Sequence, residues 1–488
     1  MSMTSIEQEF QARVARIPRQ GLGLSVDVYT PDLFEVTEML DGRGLPFGYL
    51  EIFKASKAVL EDVQDRLPHG RLQYHAEGLW VTQPQLEGSV QFDIALATAA
   101  EQAATLGSAW MNHECAAKQI AGYSFGTYLP PLFTNASADV VAENATLIQQ
   151  RLAASGSFTA GREPLLLIEI PPLTYFGFGD LSVAEFFRRV VAQTPCGLVL
   201  DIGHVWTVYR YTAEWRRRGG VLEFLAEFLE VFPLERVVQI HLAGLETHGV
   251  HVEHARRMSR GADEPPRWID AHSAPIPEVL WEMLAQVLAH PRLCHLKGVA
   301  LEVDTKAVPL IITEFERFQS QFGEQFHAEQ ASLDREKDVA GVMENIQAAR
   351  HDLAQQYERY ARLVSMPWHD SPALELPLLG SSAEELDQYR GQYLPHEILE
   401  WGGSLREMFP ETCRRLDDHG IALTDFLTYW FREPRPADSD YDFFVLKLEW
   451  FVAFVKEMLP DATETAEREA NALRNGYQAA CESANVLL

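Results

Sequence analysis

Cysteine is scarce in this 488-residue sequence: five residues (Cys115, Cys196, Cys294, Cys413 and Cys481), odd in number and with no C-x-x-C pair. That excludes a disulfide-built scaffold and a thiolate zinc site. Long apolar runs are missing too. No uninterrupted stretch of 18 apolar residues occurs, and the opening "MSMTSIEQEFQARVARIPRQ" has no apolar signal core, so no membrane segment is expected. Basic residues are few, 41 Lys and Arg against 70 Asp and Glu, giving a formal net charge of −29. Such a surface repels phosphate backbones, which disfavours nucleic-acid partners. No Gly-x-Gly-x-x-Gly follows a strand with a ribose-binding acid in place. These absences leave a soluble protein of a reducing compartment, expected to be cytoplasmic.

Core-forming material is plentiful, with 47% hydrophobic residues. Short apolar runs punctuate the first 310 residues: "LGLSVDV" (22–28), "FGYLEIF" (47–53), "RLQYHAE" (71–77), "LLLIEI" (165–170), "GLVLDI" (197–202), "VVQIHLAG" (237–244) and "GVALEVD" (298–304). A less clean candidate precedes "MNHEC" (111–115). Nearly continuous apolar runs suit strands of a parallel sheet covered on both faces. Helical patterns alternate with them: "SVAEFFRRVVAQT" with a serine cap, "TAEWRRRGGVLEFLAEFLEVF" and "PIPEVLWEMLAQVLAHP". About eight such βα units predict a TIM-type (β/α)8 barrel. Beyond residue 318 strand signals stop. The sequence reads as a barrel over 1–318 followed by an α-helical domain over 319–488.

Polar residues stand at the ends of those runs. Glu51, His75, Glu169, Asp201 and Glu302 come late in theirs, His113 lies near the presumed fourth strand, and His241 near the end of the seventh. His204 follows Asp201 by three positions, and Asp270 and His272 share the loop "WIDAHSAPIP". In a barrel the carboxyl ends of the strands converge on one rim. Imidazole and carboxylate without thiolate suit iron, manganese or zinc, and this many donors exceeds what one tetrahedral ion takes. Carboxylates so crowded repel one another unless a cation joins them.

Other features read as bland. His248, His251 and His254, with Arg256, Arg257 and Arg260, form a polar loop near the mouth, and Cys196 and Cys294 are expected as small buried hydrophobes. "GYSFG" (122–126) has the Gly-x-Ser-x-Gly spacing, but its flanks do not make the strand and helix a nucleophile elbow needs.

The run "GLGLSV", "FGYLEIF", "YHAEGLW", "MNHECA", "LLLIEIPPLTY", "LVLDIGHVW", "VVQIHLAG", "WIDAHSAPIP" and "VALEVDTKAVPLIITEFER" resembles, in order, the multinuclear non-heme iron-dependent oxidative enzymes, which include the methanobactin biosynthesis oxidase. The resemblance covers roughly residues 20–316 and is densest between Leu165 and Leu310. It implies a barrel holding two or three irons in mixed Fe(II)/Fe(III) states. The family uses O2 to oxidise a residue, Cys or Asp/Asn, of a ribosomally made precursor peptide. The implied ligands are His75, His113, Glu169, Asp201, His204, His241, Asp270, His272 and Glu302, with Asp270, His272 and Glu169 central to catalysis. The sequence departs from the family pattern at Ile170, where Asn is usual, at Asn112, where a carboxylate is common, at Ala55 and Ser56, and near Val28. Many relatives work with a separate peptide-capturing partner, and residues 319–488 are a candidate for such a unit joined in cis. The alternatives are a redox-silent divalent-metal isomerase or hydrolase on a xylose-isomerase-like barrel, and a peptide-binding module without catalysis.

Overall fold

The computed structural model describes residues 5–67, 71–217, 219–247, 264–327, 346–365, 376–436 and 441–483. Strands β1 (Gly21–Val26), β2 (Tyr49–Phe53), β3 (Leu72–His75) and β4 (Trp110–Glu114) come first. A hairpin of β5 (Ala117–Ile120) and β6 (Tyr123–Leu129) follows, then β7 (Leu165–Glu169), β8 (Gly197–Asp201) and β9 (Val237–Leu242). A short antiparallel pair, β10 (Leu245–Thr247) and β11 (Trp268–Asp270), precedes β12 (Gly298–Glu302). β1, β2, β3, β4, β7, β8, β9 and β12 close into a parallel barrel in the order β1-β12-β9-β8-β7-β4-β3-β2. Each of the eight apolar runs read from the sequence supplies one of these strands, including the less clean one before "MNHEC".

Alternation along the strands sorts side chains between the barrel interior and the surrounding helices. Tyr49, Trp110, Leu165, Leu167, Val199, Val238 and Ala300 form one interior cluster, joined by Phe10, Val14 and Ile17 of the N-terminal segment. Outward residues such as Leu50, Met111, Ile168 and Leu200 pack into the larger core shared with the helices. Tyr49 lies across the interior. A Cβ at Gly23 would stand 2.6 Å from its ring, and one at Gly298 equally 2.6 Å, so both strands need glycine there. The interior is thus packed with apolar groups towards the strand starts and becomes polar towards their ends.

The helices between strands follow their local signals. Ser182 caps Val183–Val191 with a capping box to Glu185. The pattern around "TAEWRRRGG" does not continue as one helix: a 3-10 turn, Glu214–Arg216, precedes Val221–Val231, which begins only after Gly220. Glycine's backbone freedom makes it a poor helix interior residue. Cys196 is buried as expected, but Cys294 is exposed, because it lies in the turn after helix Glu278–Leu288. Cys115, Cys196, Cys294 and Cys413 are free thiols.

Among the described residues after 318, secondary structure is helical, from the remainder of Val308–His327 to Thr463–Ser483, apart from a single antiparallel bridge of Leu378 to Phe178. These helices sit against the barrel. Trp430 Nε1 donates to the Ser124 carbonyl at 2.7 Å and Arg435 N to that of Gly122 at 2.7 Å, both in the β5–β6 hairpin. Tyr357 Oη accepts from Leu132 N at 3.2 Å. The fully buried Arg210, from helix Ile202–Tyr211, reaches Glu385 at 2.6 Å and Glu264 at 2.9 Å. Among the described residues no helix is long and apolar enough to cross a membrane.

Removing Arg210 leaves the Glu385 carboxylate buried without its cation. Arg210→Ala is expected to lower stability by about 3 kcal/mol, read as a reduced denaturant midpoint with unchanged slope. An unchanged midpoint would show the pair to be dispensable to the seating of the helices.

Candidate metal centre

The polar end of the barrel is built by residues that share the inward face of their strands. Glu51 follows Tyr49 by two positions on β2, Glu169 follows Leu167 on β7, Asp201 follows Val199 on β8, and Glu302 follows Ala300 on β12. Strand register then sets them side by side. Ser25 stands opposite both Glu51 and Glu302, Glu114 opposite Glu169, and Asp201 opposite His241.

At the centre, donor atoms of Glu169, Asp201, His241 and Glu302 all lie within 4.8 Å of one another, and all four residues are buried. His241 Nδ1 is 3.0 Å from Glu169 Oε1 and 3.1 Å from Glu302 Oε1. A second group adjoins it. His272 Nε2 lies 3.0 Å from Asp270 Oδ2 and 3.4 Å from Glu302 Oε2, and His204 Nε2 lies 3.5 Å from Asp270 Oδ2. On the other side His75 Nε2 is 3.6 Å from Glu169 Oε2. Glu169 and Glu302 therefore each turn one oxygen to His241 and the other to a different histidine.

Of these approaches only His241 Nδ1 to Glu169 Oε1 is aligned as a hydrogen bond; the others are close but poorly aligned. His75 Nδ1 and Nε2, Asp201 Oδ2, His204 Nε2, His241 Nε2, Asp270 Oδ1, His272 Nε2 and Glu302 Oε2 are buried without a hydrogen-bond partner in the protein. So many orphaned donors and acceptors carry a large desolvation cost. Neighbouring ligands about 2.1 Å from one ion stand about 3.0 Å apart around an octahedral ion and about 3.4 Å apart around a tetrahedral one. For the unpartnered atoms, lone pairs aimed at a common point, not at one another, account for both the spacing and the misalignment.

Tautomers assigned from the partners support this for two rings. His204 Nδ1 donates to the Ile170 carbonyl at 2.6 Å, and His272 Nδ1 donates to the Asp304 carboxylate, leaving Nε2 of each ring to face the cluster. Locking one nitrogen in this way is how proteins orient metal-binding imidazoles. His272 and Asp270 retain 20% and 21% side-chain exposure while His241 has none, so the second group opens to solvent and the centre does not.

Without a cation, protons must meet the demand of the carboxylates for positive charge. Burial opposes charge on His75 and His204, yet the surrounding carboxylates outweigh it and raise both to about 10. His241 and His272 are raised for the same reason. Burial lifts Asp201 to about 7 against the pull of His204, with Glu302 and Glu169 adding to the rise.

His113 does not join the cluster. On β4 the inward residues are Trp110, Asn112 and Glu114, and His113 faces the other way. Its Nδ1 donates to the Glu114 carbonyl at 2.6 Å, and its Nε2 accepts from Leu79 N at 3.2 Å and Trp80 N at 3.4 Å. Both nitrogens are committed to backbone, and burial lowers the ring to about 4. The expected ligand role of His113 is corrected on this geometry.

Several residues at the site stand outside the ligand set expected from the sequence. Glu51, notable there only as a late strand residue, is buried, accepts from Ser25 Oγ at 3.0 Å and Trp110 Nε1 at 3.3 Å, and stands 2.9 Å from His241 Nε2. Asn112 Nδ2 donates to Glu169 Oε2 at 2.6 Å. Glu114 and Asp304 lie outside the sequence-derived candidates, although period-2 counting along "WMNHE" turns Glu114 inward with Asn112. Ser124 lies near the start of a hairpin strand that runs on to Leu129, so no helix starts directly after it, and its Oγ accepts from Gln119 Nε2 at 2.8 Å, which rules out the nucleophile elbow. His248, His251, His254, Arg256, Arg257 and Arg260 lie outside the described residues.

Asp304 fixes the proton on His272. Asp304→Asn is expected to weaken divalent-metal affinity roughly 10- to 100-fold, measured by competition with a chromogenic chelator. Cation uptake must also displace protons from the raised histidines, so affinity rises with pH over about pH 6 to 8 and protons are released into weakly buffered solution. A pH-independent affinity would mean that the ring nitrogens are not the ligating atoms.

A family model described as "RiPP precursor modification enzyme MbnB/TglH/ChrH" matches residues 54–321, more than half of the chain. A UPF0276 protein of Paraburkholderia phytofirmans is 31% identical over 186 residues, 37% of this chain and 47% of that protein. A UPF0276 protein of Bordetella pertussis is 30% identical over 183 residues, 37% of this chain and 50% of that protein. The chain thus spans about half the length of the curated relatives it matches. Among solved structures, endonuclease IV from Thermus thermophilus shares 19% identity at a TM-score of 0.38, covering 63% of this chain and 100% of that one. A sugar phosphate isomerase/epimerase from Parabacteroides distasonis shares 12% identity at a TM-score of 0.35, covering 63% and 96%. Because the family match runs from the end of β2 into the helix after β12, through the strands that carry the donor cluster, the chain belongs to the MbnB/TglH/ChrH family of RiPP precursor modification enzymes.

Proposed function

We propose that this protein is an O2-dependent oxidoreductase that uses several iron ions to modify a Cys, or an Asp or Asn, of a ribosomally synthesised precursor peptide. The observation that carries the reading is the double use of Glu169 and Glu302, each with its two oxygens turned to different histidines. Carboxylates so placed would offer donors to more than one ion, Glu169 together with His241 and His75, and Glu302 together with His241 and His272. Nitrogen and oxygen donors without thiolate fit iron. Iron bound there, two or three ions in mixed Fe(II)/Fe(III) states, supplies the redox chemistry with O2 as co-substrate.

The chain's own residues bind and orient. Glu169, Asp201, His241 and Glu302 hold the buried centre, and His75 extends it inward. His204, Asp270 and His272 form the open side, where a peptide side chain can approach. Asp304 keeps the His272 proton on Nδ1, and the Ile170 carbonyl does the same for His204, so neither ring turns away. The apolar interior around Tyr49 and Leu167 excludes water from below. Residues 319–488 are proposed to hold the precursor peptide in cis. Their seat on the β5–β6 hairpin, which continues directly from β4, supports that reading.

Metal analysis of anaerobically purified full-length protein, paired with Mössbauer spectroscopy, tests the proposal. More than one iron per chain is expected. Asp270→Ala and His272→Ala are expected to lower iron content with the circular dichroism spectrum unchanged. One zinc and no iron would replace the oxidase reading with a redox-silent metal enzyme.

A further inference from the structure

We infer that Glu114 is a metal ligand of this chain and completes, with His75 and Glu169, a subsite on the His75 side of the cluster. The inference rests on the multi-ion reading above and adds a donor which that reading does not contain.

The argument starts from β4. Its inward positions are Trp110, Asn112 and Glu114. Trp110 donates to Glu51, and Asn112 donates its amide N–H to Glu169. Neither offers negative charge, so Glu114 is the only carboxylate this strand contributes. Strand register sets it directly opposite Glu169.

Among the described residues its one ion-pair partner is the His75 ring, and Tyr128 is a hydrogen-bond partner of its carboxylate. Glu114 Oε2 is buried, has no hydrogen-bond partner, and lies 3.9 Å from His75 Nε2. That is too long for a hydrogen bond. Lys118, the nearest ammonium in sequence, bonds to Glu77 at 2.9 Å and lies over the Tyr128 ring at 4.6 Å. Among the described residues no Lys or Arg pairs with Glu114.

An independent observation comes from His75. Its side chain is 2% exposed, and both ring nitrogens lack a partner. Nε2 faces two carboxylates, Glu114 at 3.9 Å and Glu169 at 3.6 Å. Two ligands on opposite sides of an ion, each about 2.1 Å from it, are at most about 4.2 Å apart, so both separations leave room for one ion between the donors. His113, next in the chain, cannot serve instead, because its nitrogens are spent on backbone.

The test is anaerobic Fe(II) loading of the full chain, with iron per chain and Mössbauer doublets recorded for wild type, Glu114→Gln and Glu114→His. Glu114→Gln keeps the shape and removes the anionic donor, and it is expected to lose about one ion per chain and one doublet, with the others unchanged. Glu114→His restores a donor and is expected to recover the ion. Wild-type iron content and doublets in Glu114→Gln would overturn the inference and leave the oxidase reading standing. A loss that Glu114→His does not repair would also overturn it, assigning Glu114 to positioning. Wild-type protein that takes up no iron would remove both.

Discussion

Electrostatic crowding at one end of a closed barrel is the constraint on which the site depends. Glu169, Asp201, Glu302 and Asp270 are brought within a few ångströms of one another in surroundings from which water is largely excluded. Like charges at such distances in a low dielectric cannot all persist uncompensated. The chain supplies no lysine or arginine to that cluster among the described residues. It supplies histidines, which can meet the demand with protons or yield their lone pairs to a cation. That interchangeability marks a metal centre and sets it apart from the salt bridges elsewhere in the molecule.

Those other ion pairs show the contrast. Arg210 with Glu385, and Lys306 with Glu314, bury charge but complete it with aligned hydrogen bonds at 2.6 and 2.7 Å. They hold elements together: Arg210 ties the helices after residue 318 to the helix that carries His204, and Glu314 also accepts from Ile276 N at 2.7 Å, steadying the loop after His272. Stability there comes from satisfied polar groups. At the rim, polar groups are left unsatisfied by the protein itself.

The barrel makes this tolerable by stacking unlike layers. Tyr49, Leu167, Val199 and Ala300 fill the interior below the cluster, and glycines on β1 and β12 admit the tyrosine ring. Such a floor fixes the ligand-bearing strand ends and keeps water out from that side. It also explains why helix Ser5–Val14, remote from the rim, matters to it: Phe10 and Val14 belong to the same interior cluster.

Much of this was legible in the sequence. Runs such as "LLLIEI" and "GLVLDI" specify strands through apolar continuity, and their spacing with intervening helices specifies a barrel, because local periodicity is a local property. Glu169, Asp201, His241 and Glu302 could be read as a set because each ends such a run. Residue type at a strand end does not say which way a side chain points, so the sequence offers His113 as a ligand although Glu114 is the residue that faces the cluster. Only closure of the barrel turned alternation into inside and outside, and only register set Glu114 beside Glu169 and Ser25 between Glu51 and Glu302. Donor identity is written residue by residue along the chain. Which donors meet is decided by hydrogen bonding between strands far apart in sequence, and no single stretch of sequence contains that information.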